Sequence, residues 1–234
     1  MSAIDPDRLR VALDEARDEI AAAAVRSGRA PDAAELVIAG KYVGPEEVPA
    51  LIAAGVGVIG ENRLQDLLAK RAAPGGDALV FDFIGHLQRR KVRDVVGEVR
   101  LIESVDRLSI IDAVAARSER PARVLLQVNI ADEASKGGFP PADLDAALQH
   151  AAAQGVIVGG LMALPPPAPD PEQSRRWFER VRAVRDELKD RWGREHDLSD
   201  LSMGTSQDYV VAVEAGATIV RVGRGIIDRG RMEP

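Results

Sequence analysis

Residues 36–71, LVIAGKYVGPEEVPALIAAGVGVIGENRLQDLLAKR, decide the fold. The apolar run 36–40 is too short for a helix and rich in β-branched residues, so it reads as a strand. A helix is expected over 45–54, with Pro45 at its first position. A second strand-like run, 56–60, and a second helix, 62–71, repeat the unit. Both strands are apolar throughout, which is the pattern of a parallel sheet covered on both faces.

Outward from this stretch the alternation continues. Strands are expected over 81–84, 101–104, 123–129, 156–162, 198–202 and 219–222. Helices are expected over 88–96, 107–118, 141–154, 170–192 and 206–215, with a short last one from Arg224. Asp170 caps the long helix, Pro171 takes its first position, and Trp177, Val181, Val184 and Leu188 share one face. Upstream, Asp5 and Pro6 open a further helix in which Leu9, Leu13, Ala16 and Ile20 recur at helical spacing, and Gly28 and Pro31 stop it. The proline-rich 165–171 sits between a strand and a capped helix, so it is a loop and not a linker.

Eight strand–helix units give an α/β fold: a single (β/α)8, TIM-type barrel domain over 1–234 with an extra N-terminal helix. An open doubly wound sheet is the alternative. In a closed barrel the chemistry sits where strands end. Lys41, Asn62, His86, Ser104, Asn129, Met162, Ser202 to Gly204 and Arg221 to Gly223 then converge on one mouth.

Composition narrows the chemistry. The 31 Lys and Arg against 37 Asp and Glu leave a net charge of −6, and there is no cysteine. Disulfides, thiol nucleophiles, iron–sulfur clusters and cysteine zinc sites are excluded. Mild acidity and only 2 Trp, 2 Tyr and 4 Phe argue against a nucleic-acid surface. With 46% hydrophobic residues, the expected barrel filling is layered Ala, Val, Leu and Ile. No apolar run approaches the roughly 20 residues of a membrane span, and MSAIDPDRLR has no signal core, so a cytoplasmic protein off the membrane is expected. His86, His150 and His196 form no metal-ligand motif, so no metal is expected.

Lys41 follows a buried strand, which is where a lysine is poorly solvated and its neutral amine becomes available for Schiff-base chemistry. A lysine snorkelling to the rim would occupy the same position. Ser202-Met203-Gly204-Thr205-Ser206 and Arg221-Val222-Gly223-Arg224-Gly225 both run from strand to helix. Glycine, hydroxyls and free amides there suit a phosphate, or serve as ordinary helix caps. In Gly60-Glu61-Asn62-Arg63, Asn62 either caps a helix or bonds a ligand, and Glu61 is available to pair with an arginine. Arg89-Arg90-Lys91-Val92-Arg93 reads first as a solvated face.

Taken together these blocks resemble the pyridoxal phosphate homeostasis protein family, single-domain relatives of the alanine racemase barrel. The resemblance runs through 36–41, Gly60-Glu61-Asn62, 83–88 with Lys91, 104–108, 127–130 with Ser135-Lys136-Gly137-Gly138, 160–163, 201–204 and 220–223. It implies pyridoxal 5'-phosphate as cofactor, joined to Lys41 as a Schiff base. Its phosphate would be held by Ser202, Gly204, Thr205 and Ser206 with Gly223 and Arg224, and Arg221 would lie on the phosphate or the ring nitrogen. Asn62, His86 and Met162 complete the expected set. Four positions depart from the family pattern: Gly40 for Ser or Thr, Arg90 for Asn, Thr205 for Met, and Arg224 for a small residue.

The resemblance implies a protein of intracellular cofactor homeostasis, one that buffers the reactive aldehyde and passes it to apo-enzymes transiently, as a monomer and without efficient catalysis. The alternative is a pyridoxal-phosphate-dependent racemase or related enzyme. Racemisation needs bases on both faces of the substrate carbon, and in that barrel type a second, β-rich domain supplies a tyrosine. Tyr42 is expected to project away from Lys41 along an extended chain, and Tyr209 to lie in a helix. A third reading makes the Arg89 to Arg93 face a docking surface for a regulatory partner.

Overall fold

The structure is a computed structural model that describes residues 3–118, 122–133 and 137–232; Ser135 and Lys136 of the quoted motif lie outside these residues. Eight strands, β1 (Glu35–Ala39), β2 (Val58–Glu61), β3 (Val80–Phe83), β4 (Leu101–Val105), β5 (Arg123–Val128), β6 (Ile157–Ala163), β7 (Asp200–Thr205) and β8 (Ile219–Val222), pair in parallel in chain order. The closed barrel is completed by β8 against β1, with Leu36 opposite Val220 and Ile38 opposite Val222. The open-sheet alternative is thereby excluded.

The helix α1 (Pro6–Arg26) precedes the barrel. Asp5 caps it by accepting from the amides of Asp7 and Arg8, and Leu9, Leu13, Ala16 and Ile20 form its buried stripe. Helices α2 (Val48–Ala53), α3 (Leu64–Arg71), α4 (Val92–Val95), α5 (Leu108–Ala115), α6 (Leu144–Ala153), α7 (Arg175–Trp192), α8 (Tyr209–Glu214) and α9 (Arg224–Gly230) cover the outside. Four of the expected helices begin as a turn of 3-10 helix, at Pro45, Arg89, Pro141 and Pro171. On α7 the buried face is Phe178, Val181 and Leu188, with Trp177 only partly covered. Of the expected face Val181 and Leu188 are buried, Trp177 and Val184 are only partly so, and Phe178 is buried in addition because it lies on the side turned to the barrel. No helix among the described residues is long and apolar enough to cross a membrane.

Successive residues of a strand point to opposite faces, and this separates two cores. Ile38, Ile59, Phe81, Phe83, Ile102, Leu126, Leu201 and Val220 pack outward among the helices. Val37, Leu101, Leu125, Met162 and Ile219 form a separate small cluster inside the barrel. The interior is not aliphatic throughout, as composition had suggested. Towards the strand starts, Arg100 bridges Glu35 (2.8 and 2.9 Å) and buried Asp82 (2.6 and 3.0 Å). Towards the strand ends, the inward positions are Glu103, Ser202 and Arg221, all buried. The barrel is filled by an ionic layer, an apolar layer and a second polar layer beneath the mouth.

Candidate functional site

A cavity of about 700 Å³ opens at the mouth, a size that suits a small cofactor. Its wall includes Lys41, Asn62, Thr205, Ser206, Arg221, Gly223 and Arg224, seven of the eleven residues expected from the sequence. The turn after β1 is a tight 3-10 segment, Gly40–Tyr42, rather than an extended chain. Tyr42 consequently folds back onto the cavity wall, contrary to expectation. Its ring carries two cations, with Lys41 Nζ 5.0 Å and Arg224 Cζ 5.3 Å from the centroid. Gly223 packs on the ring edge, where a Cβ would lie 2.6 Å from Tyr42 Cε2.

The other four residues are placed elsewhere. Strand β7 continues to Thr205, with Thr205 paired to Arg221, so Ser202 and Gly204 lie within a strand and not in a turn. Expecting the strand to end at Ser202 was the error; barrels accommodate glycine within strands, at bulges and close approaches. Ser202 points into the barrel, and Gly204 faces Ala212 of α8. Met162 belongs to the interior apolar cluster. His86 is on the rim, largely exposed, with Nδ1 3.0 Å from Asp106 Oδ2.

The two strand–helix turns meet. Gly223 N–H donates to Ser206 Oγ at 3.1 Å, which ties the loop after β7 to the start of α9. The Thr205 amide (2.8 Å) and hydroxyl (3.2 Å) both donate to Asp208, so Thr205 shapes the turn as well as lining the cavity beside Ser206. Asn62 Oδ1 is buried and has no hydrogen-bond partner among the described residues, an acceptor left for a ligand's donor. Glu61 turns the other way: its Oε1 is 2.7 Å from Lys70 Nζ, both side chains fully buried, where an arginine partner had been expected. Burial pushes the Glu61 carboxyl above the usual range, against the pull of Lys70.

Arg221 forms the cavity floor. Its Nη1 donates to Ser202 O at 3.0 Å, to Ser202 Oγ, and to Glu103 Oε2 at 3.3 Å; its Nη2 donates to Ala163 O at 3.0 Å. Only Nε has no partner among the described residues. Burial raises the Glu103 carboxyl above the usual range, and Arg221 opposes this. Sequence reasoning missed Glu103, although a lone carboxylate in the apolar strand LIESV, in phase with Leu101, was a visible sign of an inward-facing charge.

Arg89, Arg90, Lys91 and Arg93 line a different cavity, of about 790 Å³, with Arg117 of the turn after α5. It shares no residue with the mouth cavity. His196 is structural: its Nδ1 accepts from Val158 N–H (3.2 Å) and its Nε2 donates to Leu148 O (2.9 Å).

Comparison with known proteins follows the barrel. The sequence profile of the family "Alanine racemase, N-terminal domain" matches residues 22–227. The pyridoxal phosphate homeostasis protein of Aquifex aeolicus is 39% identical over 217 residues, covering 90% of this chain and 93% of that protein. This chain belongs to the pyridoxal phosphate homeostasis protein family. The homeostasis protein of Escherichia coli K12 is 36% identical, covering 92% of this chain and 93% of its own length. Among solved structures, PipY of Synechococcus elongatus with pyridoxal phosphate bound superposes with a TM-score of 0.75 at 30% identity, covering 89% of this chain and 99% of that one. Gly40, Thr205 and Arg224, three of the positions expected to differ from the family pattern, fall on or beside the mouth cavity.

Proposed function

We propose that the chain holds pyridoxal phosphate reversibly in the mouth cavity and releases it to enzymes that need it, as a cytoplasmic monomer without efficient catalysis of its own. The observation that carries this reading is the convergence on one cavity of an amine (Lys41), an orphaned buried acceptor (Asn62), a hydroxyl (Ser206) and two guanidinium groups (Arg221 and Arg224). That donor set matches an aldehyde, a phenolic hydroxyl and a phosphate on one small ring. PipY, which binds the same cofactor, supports it.

Bound there, pyridoxal phosphate supplies an aldehyde that condenses with an amine and a ring that withdraws electrons. Lys41 provides the amine. Ser206 and Arg224 take the phosphate, where the guanidinium adds charge-assisted hydrogen bonds, and Gly223 lets the backbone come close. Arg221 presents Nε–H from the floor. Asn62 accepts from the ring hydroxyl. His86, Met162, Ser202 and Gly204 support the site from the rim, the interior and β7.

The racemase reading needs two bases facing one another across a substrate carbon. Tyr42 shares the cavity with Lys41, but Lys41 Nζ rests on its ring face, so the two side chains stack on one another and do not face each other across the cavity. Tyr209 is bonded to Glu19 on the outer side of α8.

Titration with pyridoxal phosphate tests the reading, followed by incubation with L-alanine and with an apo-enzyme prepared by cofactor removal. Saturable binding, restored activity of the apo-enzyme and no D-alanine are expected. Alanine turnover at ordinary enzyme rates, about 1–10³ per second, or no binding, would contradict it.

A further inference from the structure

The polar layer under the mouth contains a group that the proposed binding does not use directly. Glu103 is fully buried inside the barrel, two residues after Leu101 of the apolar layer. Its Oε2 receives the Ser202 hydroxyl at 2.5 Å and lies 3.3 Å from Arg221 Nη1. Its Oε1 is buried with no hydrogen-bond partner among the described residues. Such a group is expensive to keep, and stability does not account for it. A buried ion pair is at best about as stable as well-packed apolar side chains of the same volume, and the layer immediately below is built from such side chains.

What the arrangement achieves is to fix Arg221. Both terminal nitrogens are occupied on the barrel side, by Glu103, Ser202 and the carbonyl of Ala163, while Nε stays unpartnered on a residue that lines the cavity. An arginine without this clamp has four rotatable side-chain bonds and a cavity into which to turn its fork. We infer that Glu103, with Ser202 as its bridge, is the positioning residue of Arg221: it compensates the guanidinium charge and holds it so that Nε–H, and not the flexible fork, meets the bound ligand. The inference rests on the reading that pyridoxal phosphate occupies the mouth cavity.

The test is a double-mutant comparison of pyridoxal phosphate affinity, by equilibrium titration, in the wild type, Glu103→Gln, Arg221→Met and the combined variant, with melting temperature recorded for each. Glu103→Gln keeps the shape and one acceptor but removes the charge. It should weaken binding about tenfold, the scale typical of groups that orient a ligand-binding residue. In the Arg221→Met background the same change should have no further effect, because there is nothing left to position. Ser202→Ala should weaken binding in the same direction, and it carries the comparison if Glu103→Gln does not fold. Equal weakening in both backgrounds would mean that Glu103 merely supports the barrel, and unchanged affinity would mean that it does nothing for Arg221; either overturns the inference while leaving the cofactor reading intact. Failure of the wild type to bind would overturn both.

Discussion

Replacing Lys70 by methionine isolates the most deeply buried ion pair in the barrel wall. Lys70 of α3 and Glu61 at the end of β2 are 2% and 0% exposed, with Nζ 2.7 Å from Oε1. Methionine keeps most of the stem volume and removes the ammonium. Coulomb attraction at this distance is about 6 kcal/mol at an effective dielectric of about 20, and removing one partner of such a pair typically costs about 3–5 kcal/mol because a charge is left unpaired. Burial already raises Glu61, with Lys70 pulling it back, so loss of Lys70 sends it higher. A folded-state pKa above the unfolded one means that the folded protein binds the proton more tightly. The loss in Lys70→Met should therefore be smallest below the raised folded pKa of Glu61 in the wild type, and grow by about 1.4 kcal/mol per pH unit from there until the higher folded pKa of the variant is passed. Urea unfolding of the variant and the wild type at pH 5, 6.5 and 8 measures this. Adding Glu61→Gln should recover most of the loss at pH 8. A deficit below about 1 kcal/mol, or one equal at all three pH values, would refute the reasoning.

Three further outcomes are expected. Gly40→Ser, toward the residue the resemblance leads one to expect there, places a Cβ 2.0 Å from Glu61 Oε1 and 2.7 Å from Ile59 Cγ2; it should cost about 1–3 kcal/mol, seen as a lowered melting temperature, and an unchanged one would show that Glu61 yields freely. His196→Ala leaves Val158 N–H and Leu148 O without their partner and should cost about 2–4 kcal/mol in urea unfolding. Arg175 foremost, with Arg26, holds Glu214 below the usual carboxylate range. Its contribution is present above the unfolded pKa and lost as pH falls through the folded one, so Glu214→Gln should cost up to about 1 kcal/mol at pH 7 and nothing near pH 3.

The barrel was legible because its strands are continuous apolar runs separated by capped helices, and β8 coincides with the expected 219–222. Strand ends were less legible. Glu61 and Thr205 extend β2 and β7 because pairing with neighbouring strands, which local composition does not report, outweighs the polarity of a single residue. The site followed the same division. Lys41, Asn62, Ser206, Arg221 and Arg224 could be located from strand ends alone, since the C-terminal face of a barrel gathers them. Tyr42 could not, because its place depends on a 3-10 turn that no residue in Gly40-Lys41-Tyr42 announces. Glu103 and Asp82 were overlooked for a different reason. Each is a single charge in a short apolar strand, and period-two alternation would have assigned both to the interior had they been compared with Arg221.

Borohydride reduction of the protein in the presence of pyridoxal phosphate, followed by mass analysis of its peptides, tests the central claim most directly. One modified residue, Lys41, is expected, with loss of the modification and of the visible absorbance band in Lys41→Ala. A band and a modification that persist in that variant, or a label on another lysine in the wild type, would contradict it.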